Sequence, residues 1–162
     1  MRGTPDPVQP NIATIRRPCT GAAAVLLLAL VGCAPGTPDE DSWRGDATRA
    51  VGDVLSAVQT ARLGIEQAKD DRVPDAYLQT VLVDAERNGG MAASTLSAVQ
   101  PPAGERGRSS DVSDRLERAT GLLTEARIAV VARDTDEYGD LVAELRNTAH
   151  DLVALEAELE HP

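Results

Sequence analysis

Residues 43–69 read WRGDATRAVGDVLSAVQTARLGIEQAK, and this stretch decides the fold class. Its apolar residues recur at alternating steps of four and three, which is typical of the buried face of a helix packed in a bundle. The members of this face are Ala47, Val51, Val54, Val58, Ala61, Ile65 and Ala68. Pro74 follows a short polar break and suits the first turn of another helix. The pattern therefore predicts a first helix over residues 43–69.

The same helical periodicity continues along the chain, and no segment alternates convincingly as a β-strand. A second helix is predicted over residues 75–100. Its apolar face comprises Leu78, Val81, Ala85, Ala92, Leu96 and Val99. Asn88, Gly89 and Gly90 interrupt it, and two interior glycines cost about 1 kcal/mol each relative to alanine. We expect either a kink or break there, or a close helix crossing that favours the missing side chains.

Two further helices complete the pattern. Ser109 or Ser110 is predicted to cap the third helix, and Asp134 the fourth, with Glu137 as its capping-box partner. The third apolar face comprises Val112, Leu116, Ala119, Leu123, Ala126 and Val130. The fourth comprises Tyr138, Leu141, Val142, Leu145, Ala149, Leu152, Leu155 and Leu159. The expected fold is all-α, an antiparallel up-down-up-down four-helix bundle over residues 42–160.

The N-terminal residues have the pattern of an export signal. Arg16 and Arg17 precede an uncharged apolar run over residues 21–31, which is too short to span a bilayer and fits the apolar region of a signal peptide. The run ends at Leu30-Val31-Gly32-Cys33, which resembles the bacterial lipobox. The resemblance implies a diacylglyceryl group on Cys33 and cleavage just before it. An apolar helix that happens to end in Cys is the alternative.

This resemblance divides the chain into three parts: a signal peptide at 1–32, the lipidated Cys33 with a flexible tether at 33–41, and the bundle at 42–160. The tether contains two prolines and a glycine and has no periodicity. With this arrangement, the chain resembles the small lipoproteins of unassigned function that are common in high-GC Gram-positive bacteria. The resemblance implies a protein anchored by lipid to the outer face of the cell membrane, and it implies no activity.

Composition excludes several classes of function. The formal charge is −10, with 16 basic and 26 acidic residues, and a nucleic-acid-binding protein needs a basic surface. After lipidation of Cys33 and loss of Cys19 with the signal peptide, no thiol remains for catalysis, zinc or a disulfide. Glu158 and His161 form a single Glu-x-x-His pair, whereas a di-iron bundle needs two. We therefore expect no enzyme, no cofactor and no metal centre.

Acidic residues concentrate in the breaks after the first and third helices. The acids are Asp70, Asp71, Asp75, Asp134, Asp136, Glu137 and Asp140, against the bases Lys69, Arg72 and Arg133, a local charge of −4. If the helices alternate in direction, both breaks lie together at the end of the bundle farthest from the tether. The acids are expected to cap helices and complement their dipoles. Binding of Ca²⁺ or of a basic partner by Asp70, Asp71, Asp134, Asp136 and Glu137 is the sharper alternative.

Two function classes remain open at this point. The first is a non-enzymatic, lipid-anchored envelope protein that serves as a protein-interaction or structural module with an unknown envelope protein as its partner. The second is an extracytoplasmic lipoprotein that binds a small ligand or a divalent cation beside Gly89 and Gly90 or at the acidic breaks. A polar cavity near Gly90 would favour the second class.

Overall fold

The computed structural model describes residues 39–161, and this part of the chain is all-α, as predicted. It contains four helices: α1 (Glu40–Lys69), α2 (Asp75–Ser97), α3 (Arg106–Ala132) and α4 (Tyr138–Glu160). A single 3₁₀ turn, Ala103–Glu105, precedes α3, and residues 39–161 contain no strand. The predicted signal peptide, the lipobox and most of the tether lie outside the described residues.

Helix α1 begins three residues before the predicted Trp43, because Asp39 acts as its N-cap. The backbone N–H of Ser42 donates to the Asp39 carboxylate at 2.7 Å, and this hydrogen bond lowers the pKa of Asp39. Glu40 and Asp41 occupy the first turn, where negative charge favours the helix dipole. These two residues, predicted to end the tether, therefore belong to the helix.

Helix α2 is continuous through Asn88, Gly89 and Gly90, so the expected kink or break is absent and the close-crossing interpretation explains Gly89. A Cβ on Gly89 would lie 2.9 Å from Cδ1 of Leu123 and 3.5 Å from Cβ of Ala57. Gly90 has open space around it. Gly89 thus allows three helices to approach one another, and α2 ends at Ser97, three residues earlier than predicted.

The predicted cap of α3 at Ser109 or Ser110 is wrong, since the helix already begins at Arg106. Glu105, the residue just before this helix, fixes the chain instead. Its buried carboxylate accepts hydrogen bonds from Arg44 and Arg108. This anchor sets the 3₁₀ turn and the helix start, so both serines lie inside the first turns of α3.

The predicted capping box of α4 is also wrong. The helix begins at Tyr138 with Glu137 in the N-cap position, and no side chain of residues 39–161 caps it. The backbone N–H of Asp134 instead donates to the carbonyl of Ala129 at 3.0 Å, while that of Arg133 donates to Val130. Asp134 is therefore part of the closing motif of α3.

The ends of α1 and α3 have the same geometry. At α1, Arg72 N–H donates to Gln67 and Asp71 N–H donates to Ala68, the pairing that also closes α3. Asp71 and Arg133 occupy equivalent positions with φ of 53° and 57°. This is the Schellman motif, in which the left-handed residue is usually glycine. Both turns after these helices therefore start from one backbone conformation.

The core is formed by the predicted apolar faces. All eight residues of the predicted α4 face are buried, as are all six of α3 and six of the seven of α1; Ala68 is partly buried. The α2 face is less complete, because Val81, Ala92 and Val99 are only partly buried. Leu82, Leu122 and Ala129 are buried but were not predicted, since each falls outside the four-three steps. Helix α1 packs against all three other helices, and α2 packs also against α3.

Candidate functional site at the turn end

The predicted lipidation site lies outside the described residues. Cys33 and the lipobox residues Leu30, Val31 and Gly32 precede Asp39, so the predicted anchor stays a prediction from sequence. The other predicted site residues, in the breaks after α1 and α3, are all described and all exposed.

The two acidic breaks lie next to each other. Arg133, at the end of α3, forms an ion pair with Asp75, the first residue of α2, with 3.5 Å between Nε and Oδ2. Lys69 Nζ, at the end of α1, lies 3.7 Å from the position of a Cβ on Gly139 in α4. One end of each helix therefore meets at the same place. We call this region, residues 69–75 and 133–140, the turn end.

Tyr138 closes the core at the turn end. Its side chain is buried, while its neighbours on the turns are acidic. Burial raises the pKa of the Tyr138 phenol, and the negative charges of Asp75 and Asp134 raise it further. The turn end thus combines one buried aromatic side chain with exposed carboxylates on the two turns.

The acids of the turn end do not assemble into a cation site. Asp70 forms an exposed ion pair with Arg72 at 3.5 Å. In residues 39–161, no group of three or more His, Cys, Asp or Glu side chains is placed to hold a metal ion. The capping role assigned to Asp134 and Glu137 is not found either. These carboxylates therefore contribute an exposed negative surface.

Exposed apolar side chains concentrate towards the turn end. Seven large apolar residues of the described chain are 41–60 % exposed. Five of them lie in the halves of α1, α2 and α3 that lead to the turns, and two lie in the other halves of α2 and α4. The five are Leu63, Tyr77, Val83, Ile128 and Val131; the two are Met91 and Val153. Single exposed apolar residues are common, and it is a contiguous patch of them that marks an interaction surface.

A polar groove lies between α1 and α2 beside Gly89 and Gly90. It has a volume of about 450 Å³ and is open to solvent. Apart from Met91, its walls consist of small or polar residues: Asp53, Ser56, Ala57, Thr60, Ala85, Asn88, Ala92 and Thr95.

An ion cluster around the buried carboxylate of Glu105, at the start of α3, was not predicted. Glu105 Oε1 accepts from Arg44 Nε at 2.9 Å and from Nη2 at 2.5 Å, and Arg108 Nη1 lies 2.9 Å from Oε2. The hydrogen bonds to Glu105 raise the pKa of Arg44, against a smaller effect of desolvation. The spacing of Glu105 and Arg108 is visible in the sequence, but the contact with Arg44 spans 61 residues. The cluster fastens the start of α3 to the start of α1.

Neither histidine belongs to a group of three or more candidate metal ligands among residues 39–161. His150 and His161 are both exposed. Glu158, the partner of His161 in the Glu-x-x-His pattern, lies 3.8 Å from Arg115. His150 lines a groove between α1 and α4.

Comparison of the chain with models of known protein families, with curated proteins and with solved structures finds no match. None of the helices in residues 39–161 combines the length and apolarity needed to cross a bilayer.

Proposed function

We propose that this protein is a non-enzymatic, lipid-anchored protein of the cell envelope that binds another envelope protein through its turn end. Five exposed apolar side chains on the helix halves that adjoin the acidic turn end carry this proposal. The lipobox Leu30-Val31-Gly32-Cys33 supports the anchor. No catalytic motif was found in the sequence.

The proposed arrangement is an up-down-up-down bundle. Contacts between neighbouring helices support alternating directions: Gly64 of α1 approaches Leu78 at the start of α2, and Ala57 approaches Gly89 further along. Similarly, Glu66 near the end of α1 pairs with Arg146 in the first half of α4. Helix α1 has 30 residues and is about 45 Å long at ~1.5 Å per residue. The turn end therefore lies at the opposite end of α1 from Glu40.

The surface chemistry indicates the kind of partner. Carboxylates that find no organised cation site attract a basic surface by charge complementarity, which accelerates association. Val83 on α2 and Ile128 and Val131 on α3 add apolar area, which supplies affinity once water is excluded. The partner expected here is an envelope protein that presents basic and apolar side chains together.

The anchor is tested by replacing Cys33 with alanine. Loss of two or more acyl chains should release the protein from the membrane fraction, since a single chain anchors only marginally. Mass spectrometry of the parent should show the lipid on the N-terminal cysteine. Equal membrane retention of both proteins, with no lipid on the parent, would contradict the anchor.

The binding surface is tested in cells with a photoreactive amino acid at Ile128 or Val131. Val153 is the matched control, because it is similarly exposed but lies in the half of α4 away from the turn end. Cross-links to one envelope protein from positions 128 and 131, and none from 153, are expected. Equal labelling at all three positions, or none, would reject the turn end as the interface.

A second candidate function rests on the groove beside Gly89 and Gly90. Its volume falls within the range of small-molecule sites, and polar residues line it. It ranks second because Ser56, Thr60 and Met91 in its walls are exposed, so a bound molecule would keep much of its surface in water. Co-purification of a small molecule, lost on Asn88→Leu substitution, would favour this function over the first.

A further inference from the structure

Positively charged side chains converge in a groove between α1 and α4. The groove has a volume of about 280 Å³. It is lined by Gln59, Arg62, Arg146, Ala149, His150 and Val153. Four of these six residues carry N–H groups that hydrogen-bond acceptors can use, and none is acidic. Such a lining is unusual in a chain with a formal charge of −10.

The two arginines are held in place by one carboxylate. Glu66 Oε1 accepts from Arg62 Nη1 at 2.7 Å and from Arg146 Nη2 at 3.2 Å. The side chains of Arg62 and Glu66 are only 23 % and 27 % exposed, whereas Arg146 is 55 % exposed. Two positive charges therefore share one negative charge. The Arg62 guanidinium is partly shielded from solvent, and that of Arg146 is exposed.

The arginines retain donors for a ligand. Neither Arg62 nor Arg146 has a side-chain partner other than Glu66 among residues 39–161. A guanidinium carries five N–H donors, so each arginine keeps most of its hydrogen-bonding capacity. These donors come from two different helices and therefore approach the groove from two sides.

Charge on α4 is divided between its two sides. Arg146 and His150 line the groove against α1, while Glu144 and Asp151 line the groove between α3 and α4. Glu144 and Asp151 thus lie away from the two arginines, whereas Glu156, further along α4, reaches α1 at Gly52. Charges farther than about 8–10 Å are screened at physiological ionic strength, so the net negative charge of the protein does not prevent an anion from binding here.

We propose that the α1–α4 groove binds a phosphate group. A tetrahedral anion accepts hydrogen bonds from several directions and can engage two guanidiniums at once, with Gln59 and His150 as further donors. A carboxylate presents two coplanar oxygens, which match the paired N–H donors of one guanidinium better than donors from two helices. This site is independent of the turn end and of the proposed anchor.

The test uses the full chain purified in detergent, with inorganic phosphate and glycerol phosphate as probes at constant ionic strength. Binding is measured by ³¹P NMR line broadening and by calorimetry. Arg62→Gln and Arg146→Gln should each weaken binding about 10-fold, because each removes charge-assisted hydrogen bonds. Arg118→Gln, in the α3–α4 groove, is the matched control and should leave binding unchanged.

A substitution that increases the affinity for phosphate tests the site more specifically than one that decreases it. Glu66→Gln removes the carboxylate that shares both arginines and should tighten phosphate binding, whereas Glu125→Gln removes the same charge in the α3–α4 groove and should not. Binding of both probes would support recognition of phosphate esters, and binding of inorganic phosphate alone would support a site for the free ion. No binding at millimolar concentrations, or equal effects of the Arg62 and Arg118 substitutions, would overturn the proposal.

Discussion

Tyr138 illustrates how a single residue links the core to the charged turn end. Burial and the nearby carboxylates of Asp75 and Asp134 raise the pKa of its phenol above the ordinary value near 10. The folded state therefore favours the neutral phenol. The resulting stability is fully present below pH 10 and is lost as the pH rises through the folded-state pKa.

We expect Tyr138→Phe to reduce the fall in the free energy of unfolding that the parent shows at alkaline pH. The free energy of unfolding of the parent, measured by urea denaturation from about pH 8 to pH 11, should fall more steeply than that of the variant. Tyr77→Phe is the control, since Tyr77 is 60 % exposed and should leave the parent's pH dependence in place. Identical slopes for the parent and Tyr138→Phe would show that the phenol does not contribute.

Residue-level prediction from sequence succeeded where neighbours along one helix decide the outcome. Val54 and Leu123 are buried because the four-three steps place them on core-facing stripes. Glu105 is different, because its burial depends on Arg44, which is 61 positions away. The α1–α4 groove has the same origin, since Arg62 and Arg146 meet only after folding. No local pattern contains such long-range contacts.

At the scale of elements, helix interiors were predictable and helix ends were not. Propensity and periodicity extend over many residues, whereas a cap depends on one or two hydrogen bonds that several candidates could supply. Ser109, Ser110 and Asp134 are all good N-cap residues by type. The Glu105 cluster and the Schellman motif at Arg133 set the boundaries instead.

The adjacent glycines of α2 offer a matched test of packing against propensity. Gly90→Ala should raise the free energy of unfolding by about 0.5–1 kcal/mol, because nothing lies near the new methyl group. Gly89→Ala gains the same helix propensity but places its Cβ 2.9 Å from Leu123, which is fully buried. Overpacking costs about 1–3 kcal/mol, so this variant should be less stable than Gly90→Ala by about 1 kcal/mol or more.

Urea denaturation followed by circular dichroism measures both glycine variants. A Gly89→Ala variant as stable as Gly90→Ala would mean that Leu123 moves aside without cost and that α2 and α3 are not closely packed at this point.

At the scale of the whole molecule, α1 is the element on which the others depend. It contacts α2, α3 and α4, and the Glu105 cluster joins it to the start of α3. Trp43, near its first turn, is fully buried, and its indole N–H has no hydrogen-bond partner among residues 39–161. The indole therefore has an apolar environment, and its fluorescence should shift to longer wavelength when water reaches it.

We expect residues 39–161 to unfold in one cooperative transition, because one core cluster includes buried residues from all four helices. The fluorescence of Trp43 and the circular dichroism signal should change together as urea is added.

Val54→Asp should lower the free energy of unfolding by about 4 kcal/mol or more, since it places an unpaired charge in the core. Ser56→Asp, two residues further on an exposed position of α1, should change stability by less than about 0.5 kcal/mol. Separate transitions for the two signals, or a Val54→Asp protein as stable as Ser56→Asp, would mean that the helices do not share a single core.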